Sequence, residues 1–168
     1  LSPSGVVAKI NIAVSVLPLK GITQALGGDL VEVDVLVEPG QSPANYEPRP
    51  QQLVELSSSQ LLVAAGVPFE SVWLPRIRAN FPQLSILELT PAVAAWHDHD
   101  AIDPHRWMNP REMAAMATMI SAELSRIDPA NKDAYTKKLQ QLQLDLNKLD
   151  REIDIMLAPL TERRFVVF

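Results

Sequence analysis

The chain has 168 residues, a formal net charge of −5 and a pI near 5.2, with 47% hydrophobic and 21% charged residues. That composition supports a packed core, excludes disorder on compositional grounds, and weighs against a duplex nucleic-acid partner, which calls for a basic face. No cysteine is present, so disulfides, thiolate nucleophiles, Fe–S clusters and thiolate zinc sites are all excluded.

Short strands and helices alternate through the first half. Residues 9–14, Lys-Ile-Asn-Ile-Ala-Val, have the period of two expected of a strand. Pro18 can open the helix that follows, and Gly27-Gly28 closes it as a C-cap. Residues 30–37 are β-branched and alternate with acids, predicting a second strand. Residues 38–50 form a loop punctuated by five prolines and glycines: Pro39, Gly40, Pro43, Pro48 and Pro50. A short helix is expected over 51–57, with Ser57-Ser58-Ser59 at its end. Residues 60–65 are almost continuously apolar, as in a strand buried on both faces. A helix over 71–81, interrupted by Pro75 or starting there, precedes a fourth strand over 84–89. This rhythm predicts an α/β fold, a parallel sheet flanked by helices.

The loop of residues 90–109 is polar and holds all three histidines. Beyond it, Asn109 as N-cap, Pro110 at the first helical position and Glu112 at the third predict a capping box opening a helix to Ile127. A second helix is expected from Asp128-Pro129 to about Leu160. Its apolar positions Tyr135, Leu139, Leu142, Leu146, Leu149, Ile153, Met156 and Leu160 alternate by fours and threes, a heptad seam. Such a helix is either an isolated coiled-coil partner or a spine along which two domains lie. No apolar run approaches the roughly 20 residues of a membrane span. Leu1 to Gly5 carries no basic leader region, although a chain whose leader has been removed reads the same. The end on Phe165-Val166-Val167-Phe168, apolar with no turn behind it, is expected of an incomplete chain.

The motifs G-x-G-x-x-G, Walker A, G-x-S-x-G and H-E-x-x-H are all missing. The concentrated signal is Trp96-His97-Asp98-His99-Asp100-Ala101-Ile102-Asp103-Pro104-His105-Arg106-Trp107. Neutral imidazole suits zinc, manganese and iron. His97 and His99 fall on one side of an extended backbone, and Asp98, Asp100 and Asp103 could ligate or orient imidazoles. The bland alternative is a solvated loop that binds nothing. His105 stands apart: Pro104 fixes the backbone before it, Trp107 can wall a pocket, and a capped helix follows.

Four segments, in order, resemble the metal-binding substrate-binding proteins of zinc and manganese ABC transporters. They are the opening from Ile10 through Gly27-Gly28-Asp29; the loop Val37-Glu-Pro-Gly-Gln-Ser-Pro-Ala-Asn-Tyr-Glu-Pro-Arg-Pro50; the loop Asp103-Pro-His-Arg-Trp-Met-Asn-Pro110; and Ile127-Asp-Pro-Ala-Asn-Lys-Asp-Ala-Tyr135 with the long helix to Phe168. The resemblance implies a two-lobed clamshell joined by one rigid helix, with capture and delivery of metal and no catalysis. On that footing residues 6–127 form the N-terminal α/β lobe, 128–164 the spine helix, and 165–168 the first strand of a missing C-terminal lobe. The family site implies three histidines and a carboxylate, two ligands from each lobe. His105 falls on the second-loop ligand; the first-loop position is Ala44, which has no donor, with the weak donor Asn45 beside it and Glu47 on a family glutamate that does not ligate. His97 and His99 resemble the stub of a histidine- and acid-rich insertion and are candidate substitutes.

The reading is therefore an extracytoplasmic binding protein, its signal peptide removed, that delivers a divalent metal to an ABC importer's membrane permease. Zinc is favoured over manganese because imidazoles outnumber other donors. The candidate metal residues are His105, His99 and His97. The alternatives are a divergent member without high-affinity metal binding, serving as a module for another ligand or protein, and a small metal-dependent hydrolase built on the three histidines. Without a second lobe, the seam from Leu139 to Leu160 is expected to drive self-association.

Overall fold

A computed structural model describes residues 8–89 and 105–161. Strands β1 (Ile10–Val16), β2 (Val31–Val37), β3 (Leu61–Ala64) and β4 (Ser85–Glu88) form one sheet in the order β2-β1-β3-β4. Every pairing is parallel: Ile12 lies opposite Val33 on one side and Leu61 on the other, and Val63 lies opposite Leu87. Helices α1 (Leu17–Gly27), α2 (Pro50–Ser57) and α3 (Pro68–Asn80) supply the crossovers, as parallel pairing requires. The central strands β1 and β3 carry the core, with Ile12, Val14, Leu61, Leu62 and Val63 almost inaccessible. Continuous apolar sequence in β3 is the consequence of burial on both faces.

Helix α3 corrects the expected start at Ser71 or Pro75. It begins at Pro68, whose missing N–H is one the first turn does not use, and runs through Pro75 to Asn80. Pro75 cannot donate to the carbonyl four residues back, but Ser71 and Pro75 are both exposed, so water can take that carbonyl. The serines at the end of α2 behave as expected: Ser57 Oγ donates to the Val54 carbonyl, and Ser58 and Ser59 Oγ both donate to that of Glu55.

Gly28 caps α1 with φ of +57°. Gly27, just before it, is needed for a different reason. A Cβ there would overlap both γ-methyls of the buried Val31 and lie 2.8 Å from its Cβ, so α1 can close onto the start of β2 only over a hydrogen. Gly27→Ala is expected to destabilise the protein by about 1–3 kcal/mol through overpacking, read as a lowered urea midpoint with an unchanged slope.

Helix α4 spans Pro110–Ile127 and buries Met116, Ala117, Ile120, Ser121 and Leu124. A 3-10 turn over Pro129–Asn131 leads into α5 (Lys132–Leu157), so the last helix starts later and ends earlier than the 128–160 expected. The joint is locked by Tyr135, fully buried, whose hydroxyl donates to Asp128 Oδ2 at 2.6 Å while Asn131 Nδ2 donates to the same oxygen at 2.7 Å. Burial first, then that carboxylate, pushes the Tyr135 phenol well above the usual tyrosine range. α5 lies against α4 and α1, with Leu139 and Leu142 packed on the core, so it is not a detached coiled-coil strand. Further along, Arg111 on α4 donates to Asp150 at 2.8 Å and reaches Asp154 at 3.4 Å. The rest of the seam is less covered: Leu149 is 44% exposed, Met156 64% and Leu160 49%. None of the described helices is long and apolar enough to cross a membrane.

Candidate functional site

In a parallel sheet of this order, the chain leaves β1 toward β2 on one side and returns to β3 on the other. The crevice beyond the C-terminal ends of β1 and β3 is the topological switch point, where open α/β sheets place their ligands. Three connections meet this edge.

The first, residues 38–49, is tied down at several points. Gln52 on α2 is buried and bonded at both ends of its amide: its Oε1 accepts from the Tyr46 hydroxyl at 2.6 Å and the Arg49 N–H at 3.0 Å, and its Nε2 donates to the Leu36 carbonyl at 2.9 Å. Arg49 also pairs with Glu38. Burial raises the Tyr46 phenol. The Tyr46 ring meets Phe69 edge-on, with centroids 4.9 Å apart at 75°. The turn Ser42–Asn45 closes through Asn45 N–H to the Ser42 carbonyl at 3.3 Å and Ala44 N–H to Ser42 Oγ at 3.3 Å. Ala44, Asn45 and Glu47 are exposed.

The second connection is the turn after β3. Its buried acceptor is Glu70, which takes the N–H of Ala65 at 2.8 Å and of Gly66 at 2.7 Å. Burial raises its carboxyl above the ordinary range, while the Ser15 hydroxyl and the backbone donors pull it down.

The third connection carries His105. Arg106 fastens the segment: one guanidinium nitrogen donates to the Leu89 carbonyl at the end of β4 (2.9 Å), and Nε donates to Glu112 Oε2 at 2.9 Å. Both side chains of this pair are largely shielded, which strengthens it relative to a surface pair. His105 opens a 3-10 turn over Arg106–Met108, its carbonyl accepting the Met108 N–H at 2.9 Å. Its ring stands edge-on to Trp107, centroids 5.3 Å apart at 68°, and remains exposed. The expected capping box is half formed. Asn109 Oδ1 accepts the Arg111 N–H at 2.9 Å, but the Glu112 carboxylate is drawn to Arg106, because a guanidinium is the stronger donor than a backbone amide.

Of the predicted metal residues, His105 lies at this edge, on a rigid support. His97 and His99, with Asp98, Asp100 and Asp103, lie outside the described residues. Among the described residues no group of three or more His, Asp or Glu side chains converges as a metal site. Two residues of the edge escaped sequence reasoning. Arg106 could have been sought as the neighbour that must hold a candidate ligand. The signal for Glu70 was a carboxylate two positions after Pro68, in an otherwise apolar segment.

The family described as the periplasmic zinc-uptake complex component A, ZnuA, matches residues 12–168. The manganese ABC transporter substrate-binding lipoprotein PsaA of Streptococcus pneumoniae is 28% identical over 155 residues, covering 86% of this chain and 50% of PsaA. The high-affinity zinc uptake system protein ZnuA of Paracoccus denitrificans is 29% identical over 202 residues, covering 96% of this chain and 61% of that protein. A crystal structure of ZnuA superposes with a TM-score of 0.89 at 34% identity, covering 96% of this chain and 64% of that one. The chain thus spans about half the length of the curated relatives it matches.

Proposed function

The chain belongs to the family of periplasmic zinc-uptake components, and from that membership we propose that it captures a divalent metal ion outside the cytoplasm for an ABC importer's permease. The family is one of substrate-binding transport proteins and not of enzymes, which sets aside the hydrolase reading. Zinc is the favoured cargo and manganese the other candidate; the relatives' names include both metals, and a histidine-centred donor set without thiolates suits zinc somewhat better. In this reading residues 6–127 are the first lobe, 128–164 the spine and 165–168 the start of a second lobe, and the mature chain follows removal of a leader. The comparisons lend no support to self-association through α5, and it forms no part of the proposal.

One observation supports the proposal: His105 directly precedes Arg106, whose guanidinium is clamped between the Leu89 carbonyl just past β4 and Glu112, and the C-terminal edge of the sheet is where this strand order leaves its crevice. A donor held on such a support loses little freedom on binding, and that is what a capture site needs. His105 is the proposed ligand, with His99 and His97 as candidate partners. His105→Ala is expected to weaken zinc binding by about 100-fold or more, since even outer-shell losses at metal sites cost 10–100-fold. Zinc titration against a competing chelator checks this, and an unchanged affinity removes His105 from the site.

A second reading is favoured by one residue. Ala44 offers no donor at the first-loop ligand position that the resemblance implies, so the chain fits a divergent member without high-affinity metal binding, acting as a module for another ligand or protein. The same titration separates the two: zinc binding no tighter than millimolar in the unsubstituted protein selects the second.

A further inference from the structure

We propose that Glu70 is a positioning residue for the loop of residues 38–49: it fixes the turn after β3 so that Phe69 can hold that loop at the C-terminal edge of the sheet. The inference deepens the metal-capture reading and rests on it for its purpose, because this loop carries position 44.

Glu70 is 4% exposed, and an ionised carboxylate so deep must be repaid by donors. Its donors are neutral and come from the end of β1 and the turn after β3. Oε1 takes the Ala65 N–H, Oε2 takes the Gly66 N–H, and the Val67 N–H and the Ser15 hydroxyl at the end of β1 also donate to this carboxylate. Ser15 Oγ also accepts from Ala65 N–H at 3.0 Å. One side chain therefore joins the end of β1, the turn after β3 and the first turn of α3. A shorter cap such as serine could satisfy one of these N–H groups; two oxygens on two successive N–H groups fix the 64–65 and 65–66 peptide planes relative to each other.

The adjacent residue faces the loop. The Phe69 N–H, unused within the first turn of α3, donates to the Pro43 carbonyl at 3.2 Å, and its ring meets Tyr46. The other hydrogen bonds of the 42–45 turn are local, so the Pro43 carbonyl, immediately before Ala44, is where that turn is fastened to the first turn of α3. If the Glu70 plane turns, Phe69 turns with it, since they are successive residues of one helical turn.

The test is amide hydrogen exchange by NMR on the complete chain without metal, comparing Glu70→Gln with the unsubstituted protein. The Phe69 amide reports docking of the loop, because Pro43 is its acceptor; the amides of Val14 and Val63, in central strands, report global opening. Glu70→Gln puts an NH2 donor against the donors it should accept. Exchange at Phe69 is expected to accelerate by about tenfold or more beyond any acceleration at Val14 and Val63. Acceleration of all three in step overturns the proposal, because a residue that merely stabilises the fold gives that pattern. Should Glu70→Gln not fold, Glu70→Asp in sucrose is read by the same ratio, with the charge kept and the reach shortened. An unchanged ratio refutes the positioning role alone, and an absence of zinc binding refutes the capture reading alone.

Discussion

Ala44→His is expected to raise zinc affinity by about 100-fold. Tight zinc sites use four ligands, and even catalytic sites keep three from the protein. At the positions the resemblance marks in this lobe, the chain offers His105 and no donor at 44. A new imidazole there is well prepared. The 42–45 turn is closed by its own hydrogen bonds and fastened through Pro43 to Phe69, so the added side chain would start from a fixed backbone rather than from a mobile loop. Position 44 is exposed, which gives room for the larger ring without overpacking. Chelator competition read for the unsubstituted protein, Ala44→His and Ala44→Gln makes the prediction specific. Glutamine adds bulk and polarity but no imidazole, and should leave the affinity near its starting value. If histidine and glutamine behave alike, position 44 does not face the metal and the placement of the site at this edge fails.

How much of this was legible in the sequence depended on the range of the interaction. The strands were legible because their signal is local: the alternation in β2 and the unbroken apolar run in β3 state which faces are covered. The start of α3 was not. Pro75 and Ser71 both looked like boundaries, and only the packing of Phe69 and Leu74 into the core shows why the helix begins at Pro68 and tolerates Pro75. At the edge, His105 could be singled out because proline and tryptophan flank it. Glu70 had only the weaker signal of a carboxylate in an apolar segment, and its partner Ser15 lies on β1, brought alongside by the β1–β3 register. Glu112 shows the opposite error. Its spacing from Asn109 predicts a capping box, but Arg106, six residues back, competes for the carboxylate and wins. A local rule fails there because a stronger partner is within reach, and that partner is what holds the His105 segment.

Tyr135→Ala is expected to cost about 3–5 kcal/mol, in the range of a large buried side chain lost to alanine, and Tyr135→Phe about 1.5–3 kcal/mol, the range for a hydrogen bond to a charged group. The ring is fully buried where α4, the 3-10 turn and α5 meet, and the Ser121 hydroxyl donates to the Tyr135 carbonyl at 3.4 Å. Phenylalanine keeps the packing and leaves Asp128 with the Asn131 amide, so it isolates the hydroxyl. Urea unfolding of both variants gives the two costs; equal costs would mean that the ring adds nothing to the lock. The phenol also sets an alkaline limit. Its folded pKa lies above the unfolded value near 10, so between the two the native state holds a proton that the unfolded chain has released. Stability from this group is complete below about pH 10 and falls as pH rises through the folded value. Tyr46, the chain's other tyrosine, is shifted the same way. Tyrosinate absorbance should therefore lag behind that of a free tyrosine and appear with unfolding, and Tyr135→Phe should flatten the alkaline loss of stability. If tyrosinate in the native protein forms near pH 10 with the fold intact, the lock at the α4–α5 joint is weaker than its geometry implies.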